Sequence, residues 1–226
     1  MRTRTLCLLT GTAVPLILTG SALAGFIGIS TTSKPNPWGL HTISVYAGFD
    51  RPGEDHMLAV MGTPQHPLSI EVIGGTFYQS PLGQDVPPLP PWAYFPSIVF
   101  DTFVTIGVII VPKQPEDHLI LMGDWPGFGD STLEMSDAGW AVTTLDAQGD
   151  PFNPDFVAGD GRVLIGQFST LDGSAIQGTM LLQFISNGVA DQAVVSFLHV
   201  IPGPGGLAAL ALGALTARRR RIGRPL

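Results

Sequence analysis

The sequence predicts an all-β fold, an antiparallel β-sandwich or jelly roll. Some segments alternate apolar and polar residues with a period of two, other short runs are apolar on both faces, and Gly- and Pro-rich turn signals separate them. Thr42-Ile43-Ser44-Val45-Tyr46 puts Ile43 and Val45 on one face. In Leu68-Ser69-Ile70-Glu71-Val72 the three apolar residues point one way, and Ser69 and Glu71 the other. Residues 57–61 form a further short candidate. The apolar runs 98–111, 163–168, 180–185 and 193–200 suit strands covered on both faces. No long stretch carries the helical period, and 131–137 has room for a turn or two at most.

The punctuation is strong. Arg51-Pro52-Gly53, Gly74-Gly75, Ser80-Pro81-Leu82-Gly83, Asp160-Gly161, Asp172-Gly173 and Asn187-Gly188 all read as turns. Asp172-Gly173 and Asn187-Gly188 predict hairpins joining strands 162–170, 176–186 and 191–200 into a C-terminal meander. Residues 81–96 hold six prolines and predict an extended polyproline loop. Residues 123–161 show little periodicity and read as a long loop over one end of the body. No repeat of 20 to 50 residues is present, which argues against a solenoid or propeller.

The two ends differ from this body. Residues 1–24 follow the plan of a signal peptide: Arg2 and Arg4, an apolar stretch over 6–18, then Ala22 and Ala24 in a small-x-small cleavage site before Gly25. That stretch is short and interrupted by Gly11 and Pro15, a poor membrane span. Cys7 is the only cysteine and lies inside the signal, so the processed chain is held by its core without disulfides. A cysteine nucleophile and a thiolate zinc site are thereby excluded. The expected divisions are signal peptide 1–24, secreted domain 25–200 and tail 201–226. The tail reads Pro202-Gly203-Pro204, a short apolar helix, then Arg218, Arg219, Arg220 and Arg221. Its 13 residues from 205 to 217 would span about 20 Å as a helix, against about 30 Å of bilayer core. The arginines would stay cytoplasmic.

In this order of elements the tail resembles the PEP-CTERM sorting signal, with Gly203 where that family carries glutamate. The resemblance implies an exosortase-type membrane enzyme as partner, besides the export translocon and signal peptidase. It also implies transient anchoring in the inner membrane through the tail, and a destination at the cell envelope or in the extracellular matrix. The body is similar to secreted proteins that accompany such tails in planctomycete-type bacteria, through Phe100-Asp101-Thr102-Phe103-Val104-Thr105-Ile106-Gly107 and Gly161-Arg162-Val163-Leu164-Ile165.

Charge is partitioned. All 18 acidic residues lie between Asp50 and Asp191, against four basic ones in the body 25–200 (Lys34, Arg51, Lys113, Arg162), a balance of −14 for the body. Such a body repels phosphate backbones, which argues against nucleic-acid partners. Asp146, Asp150, Asp155 and Asp160 share one loop and are candidate calcium ligands; no other cofactor is expected. Trp92, Trp125, Phe128 and Trp140 are candidate stacking residues for envelope polysaccharide. None of the five histidines falls in a metalloprotease pattern, and no nucleophile elbow or phosphate loop is present, so no catalytic residue is assigned. The expectation is an exported, noncatalytic envelope or extracellular protein with a structural or adhesive role. The alternative is a secreted glycan-binding or glycan-hydrolysing protein.

Overall fold

The computed structural model describes residues 25–90, 95–110, 119–156, 158–171 and 174–201. Among them the chain forms strands β1 (Phe26–Pro35), β2 (Leu40–Phe49), β3 (His56–Met61) and β4 (Leu68–Ile73). A single helical turn, α1 (Pro96–Val99), precedes β5 (Phe103–Val104), β6 (Ile120–Met122), β7 (Thr132–Met135) and β8 (Gly139–Ala141). A 3-10 turn (Ala147–Gly149) leads to the long strands β9 (Arg162–Leu171), β10 (Ala175–Ser186) and β11 (Val189–Val200). Every ladder between these strands is antiparallel, so the fold is all-β.

The strands make two sheets. The smaller runs β1-β2-β9-β5. In the larger, β10 is the central strand. One of its edges pairs with β11 along its full length, from Ala175 opposite Val200 to Ser186 opposite Val189. The other edge is shared end to end: Ala175–Thr179 pairs with β4, and Leu181–Ile185 with β3. β8 and β6 extend the sheet beyond β3, and β7 extends it beyond β4.

Both sheets bury side chains in one core. Ile43, Val45 and Phe49 of β2 and Val163, Ile165 and Phe168 of β9 belong to the same cluster as Met57, Val60, Leu68, Ile70, Met180, Leu182 and Phe184. The Phe184 ring lies 5.7 Å from that of Phe49 and 5.1 Å from that of Phe26, joining the larger sheet to the smaller. Each such side chain contributes about 1.5–3 kcal/mol on burial. The period-two pattern of 68–72 holds, with Leu68, Ile70 and Val72 buried and Ser69 and Glu71 only partly covered.

Several expectations need correction. The C-terminal meander is half right. Asn187-Gly188, at φ 52° and 73°, joins β10 to β11 in a two-residue hairpin. β9 and β10, however, lie in different sheets; Asp172-Gly173 falls outside the described residues. A local turn signal reports that the chain reverses, not which strand will receive it. The run 98–111 is not a long strand either. Pro96 begins the helical turn α1, and only Phe103–Val104 joins a ladder. Residues 101–108 are nonetheless buried, with the Thr105 and Gly107 N–H groups donating to Ile165 O (3.2 Å) and Leu164 O (2.8 Å). Residues 132–135 form strand β7, not a helical turn, with Leu133 and Met135 buried. The supposed end loop 123–161 thus supplies β7 and β8 to the larger sheet. The described part of 81–96 has no helix or strand before α1.

Candidate functional site

A polar cleft of about 480 Å³ opens where three connections meet. Gly53, Glu54, Asp55 and His56 come from the turn between β2 and β3. Thr144 and Asp150 come from the segment after β8, and Ile185, Asn187 and Gly188 from the β10–β11 hairpin.

Local chemistry sets each wall. In the first turn the Asp55 carboxylate folds back, its Oδ2 accepting from Arg51 N–H at 2.9 Å. The Glu54 and Asp55 N–H groups donate to Arg51 O, both at 3.3 Å, and Gly53 takes φ 75°. In the second wall Asp146 Oδ2 accepts from Thr143 N–H at 2.6 Å and fixes the entry to the 3-10 turn. Gly149 lets that turn approach β3; a Cβ there would strike Met57 O and the His56 ring. Asp150 Oδ1 accepts from Phe152 N–H at 2.9 Å. Beside the third wall, a bulge between Gln183 and Phe184 interrupts the β10–β3 register.

The cleft is acidic and retains unused polar atoms. Glu54, Asp55 and Asp150 line it, and Arg51 approaches Glu54 only at 3.8 Å on the surface. Asp55 Oδ1 and His56 Nε2 are buried without a hydrogen-bond partner. Burial lowers the His56 pKa below its ordinary 6.5, against a backbone hydrogen bond at Thr143 and the charges of Asp150 and Asp146. The site therefore sets the His56 ring beside the carboxylates of Glu54, Asp55 and Asp150. That set can accept hydrogen bonds from hydroxyl or ammonium groups.

The residues singled out from the sequence fare unevenly. Of the four aspartates, Asp150 lines the cleft and Asp146 acts on His56 from its turn. Asp155 is exposed. Asp160 is held by Arg162 through two bonds of 2.9 and 2.8 Å, and the Arg162 hydrogen bond lowers its pKa. Arg162 also lies over the Tyr46 ring at 4.6 Å. Among the described residues no group of three or more His, Cys, Asp or Glu is placed to hold a metal ion. Trp125, Phe128 and Trp140 do converge, but inward. Trp125 stands edge-on to Trp140 at 6.2 Å and to Phe128 at 6.3 Å, and Phe128 packs on Phe77 and Phe168. Trp140 is fully buried and donates to Thr105 O at 3.0 Å, so the sugar-stacking expectation is corrected there: no ring face is open. Trp125 donates to Asp85 at 2.9 Å. Trp92, Ala22, Ala24 and the tail residues Pro202, Gly203, Pro204 and Arg218 to Arg221 lie outside the described residues; Gly25 is buried at the start of β1.

Glu54, Asp55 and His56 were missed as a group. Their signal was three titratable residues in succession between a Pro-Gly turn and an apolar strand. Among the described residues no helix is long and apolar enough to cross a membrane. No family model, curated protein or solved structure matches the chain.

Proposed function

We propose that the chain is an exported, noncatalytic protein of the cell envelope or extracellular matrix, with a structural or adhesive role. Its body would be an antiparallel β-sandwich, a reading supported by two sheets that share one core. A signal peptide cleaved after Ala24 would precede it, and a sorting tail would follow. The observation that carries this reading is the order of elements after the body in the sequence: Pro202-Gly203-Pro204, an apolar stretch, then Arg218 to Arg221. Ile201 is 1 % exposed and donates its N–H to Ser174 O at 2.9 Å, and Pro202-Gly203-Pro204 follows at once. In that order the apolar stretch would enter the bilayer while the folded body stays outside it. The exosortase-type enzyme would act on that tail, and Arg218 to Arg221 would hold its end on the cytoplasmic side. Fractionation of a tagged chain tests this: replacing the four arginines with alanine should block delivery to the outer surface, and unchanged delivery rejects tail-directed sorting.

The acidic cleft favours a second reading, a secreted glycan-binding or glycan-hydrolysing protein, with Glu54 and Asp150 as the carboxylates. Envelope polysaccharide incubated with the chain should then be bound or release reducing ends, at least tenfold less in Glu54→Gln and Asp150→Asn. Wild-type chain that neither binds nor cleaves rejects this reading.

A further inference from the structure

We propose that the α-ammonium created at Gly25 by signal-peptide removal docks on the buried carboxylate of Asp55 and clips the start of β1 to the turn before β3. The inference rests on cleavage after Ala24 and adds a structural consequence to it.

Asp55 is 3 % exposed. Its Oδ2 is used by Arg51 N–H, whereas Oδ1 is buried with no hydrogen-bond partner. A buried carboxylate oxygen left unpaired is unfavourable and calls for an explanation. That oxygen lies against Gly25: a Cβ built at residue 25 would collide with Asp55 Oδ1 and with Ser186 Oγ. The Gly25 nitrogen is bonded to the same Cα, about 2.5 Å from such a Cβ by standard bond geometry. Nitrogen and carboxylate oxygen therefore lie no more than about 5 Å apart, a gap that a small local adjustment of the freed chain end would close.

Gly25 is also held in place. Its carbonyl accepts from Asp50 N–H at 3.0 Å, and the next ring, Phe26, stacks on Phe184 at 5.1 Å. Its φ of 97° and the crowding at its Cα both demand glycine. While residue 24 is attached, the Gly25 nitrogen is an uncharged amide. Hydrolysis of the Ala24–Gly25 bond adds water, leaves a carboxylate on Ala24 and turns that nitrogen into an ammonium with three donors. Glu54 and Asp150 nearby add to the negative potential that receives it. Asp55 belongs to the turn that leads into the larger sheet and Gly25 to the start of the smaller one, so the pair would tie the two together.

The test is a double-mutant cycle on chains prepared with a defined first residue. One pair begins at Gly25 and one at Ala24, each with Asp55 or Asp55→Asn, all continuing to Leu226 in detergent. Thermal melts should show the Gly25 start about 2–6 °C more stable than the Ala24 start when Asp55 is present, and the two starts equal in Asp55→Asn. Equal melts with Asp55 present, or the same gain in Asp55→Asn, overturn the pairing. A second readout needs no substitution. Labelling of the α-amino group by an amine reagent should be at least tenfold slower for the Gly25 start than for the Ala24 start, and equal rates overturn the proposal. The first residue of the exported protein is determined separately. A start other than Gly25 overturns the cleavage reading and with it the pairing in the cell, whereas a Gly25 start with equal melts overturns the pairing alone.

Discussion

Two carboxylates, Asp101 and Asp55, are buried to nearly the same degree, 2 % and 3 % exposed, yet their surroundings differ. Both oxygens of Asp101 are in use: Oδ1 accepts from Ser80 N–H at 2.6 Å and Oδ2 from Gln84 N–H at 3.1 Å. Gly83 has no side chain to intrude, and a Cβ there would strike the Asp101 carboxyl. Asp101 is the post around which residues 80–84 are tied. Asp55 shares its neighbourhood with a second unpaired atom, His56 Nε2, and both residues line an open cleft. A buried polar group with every atom paired serves the scaffold. In Asp55 one oxygen is left over, the one proposed to receive the Gly25 ammonium.

Breaking the scaffold carboxylate should have the largest effect. Asp101→Ala strands two backbone donors and should cost about 3 kcal/mol in urea unfolding, with faster proteolysis around Leu82. Asp101→Asn sharpens the same point through pH. Burial raises the Asp101 pKa from 3.8 to about 6, with hydrogen bonds from Ser80, Thr102 and Gln84 opposing the shift and Asp85 adding to it. The folded state thus keeps the proton to higher pH than the unfolded one, so this group's contribution weakens as pH rises from about 4 to about 6. Urea titrations across that range should show the wild type losing stability relative to Asp101→Asn.

On the cleft side a smaller cost is expected. His56→Leu removes the imidazole's hydrogen bond to the Thr143 backbone while Nε2 bonds nothing, and should cost about 1 kcal/mol at pH 8. Its pH signature runs the other way from that of Asp101. With the folded pKa lowered, the histidine's contribution is complete above 6.5 and is lost as pH falls through the folded value. Melts from pH 8 to pH 5 should show that loss in wild type and not in His56→Leu. Smallest of all is Thr31→Val. It removes one partly buried bond of 2.9 Å between Thr31 Oγ1 and His199 Nδ1, where β1 meets β11, and should cost about 0.5–1 kcal/mol in the same melts.

The sequence made the strands legible where packing imposes a period. β2, β4 and β10 lie close to where alternation or apolar runs put them. β1 escaped notice because its apolar residues Phe26, Ile27 and Ile29 give way to a polar run, and it sits on a sheet edge, where little burial selects a pattern. β6 and β8 are three residues each, too short to show one. Aromatics in a Gly-rich stretch suggested a surface platform, yet Trp140 is packed into the core. Composition reports which side chains a loop owns, not which way they turn. The cleft was illegible for a related reason: its walls come from turns that a long tract of chain separates in sequence, and only the fold brings Asp150 to His56.

The sharing of β10 by two earlier strands has a kinetic consequence. β3 and β4 wait for a partner more than a hundred residues downstream, and β2 waits as long for β9. Neither sheet can acquire its middle until the last quarter of the body exists, so loop-closure entropy must be met before most contacts form. Such wiring gives a high contact order and slow folding. On the proposed export route, N-terminus first through a membrane pore, it would keep the emerging part unfolded until the passage is nearly complete.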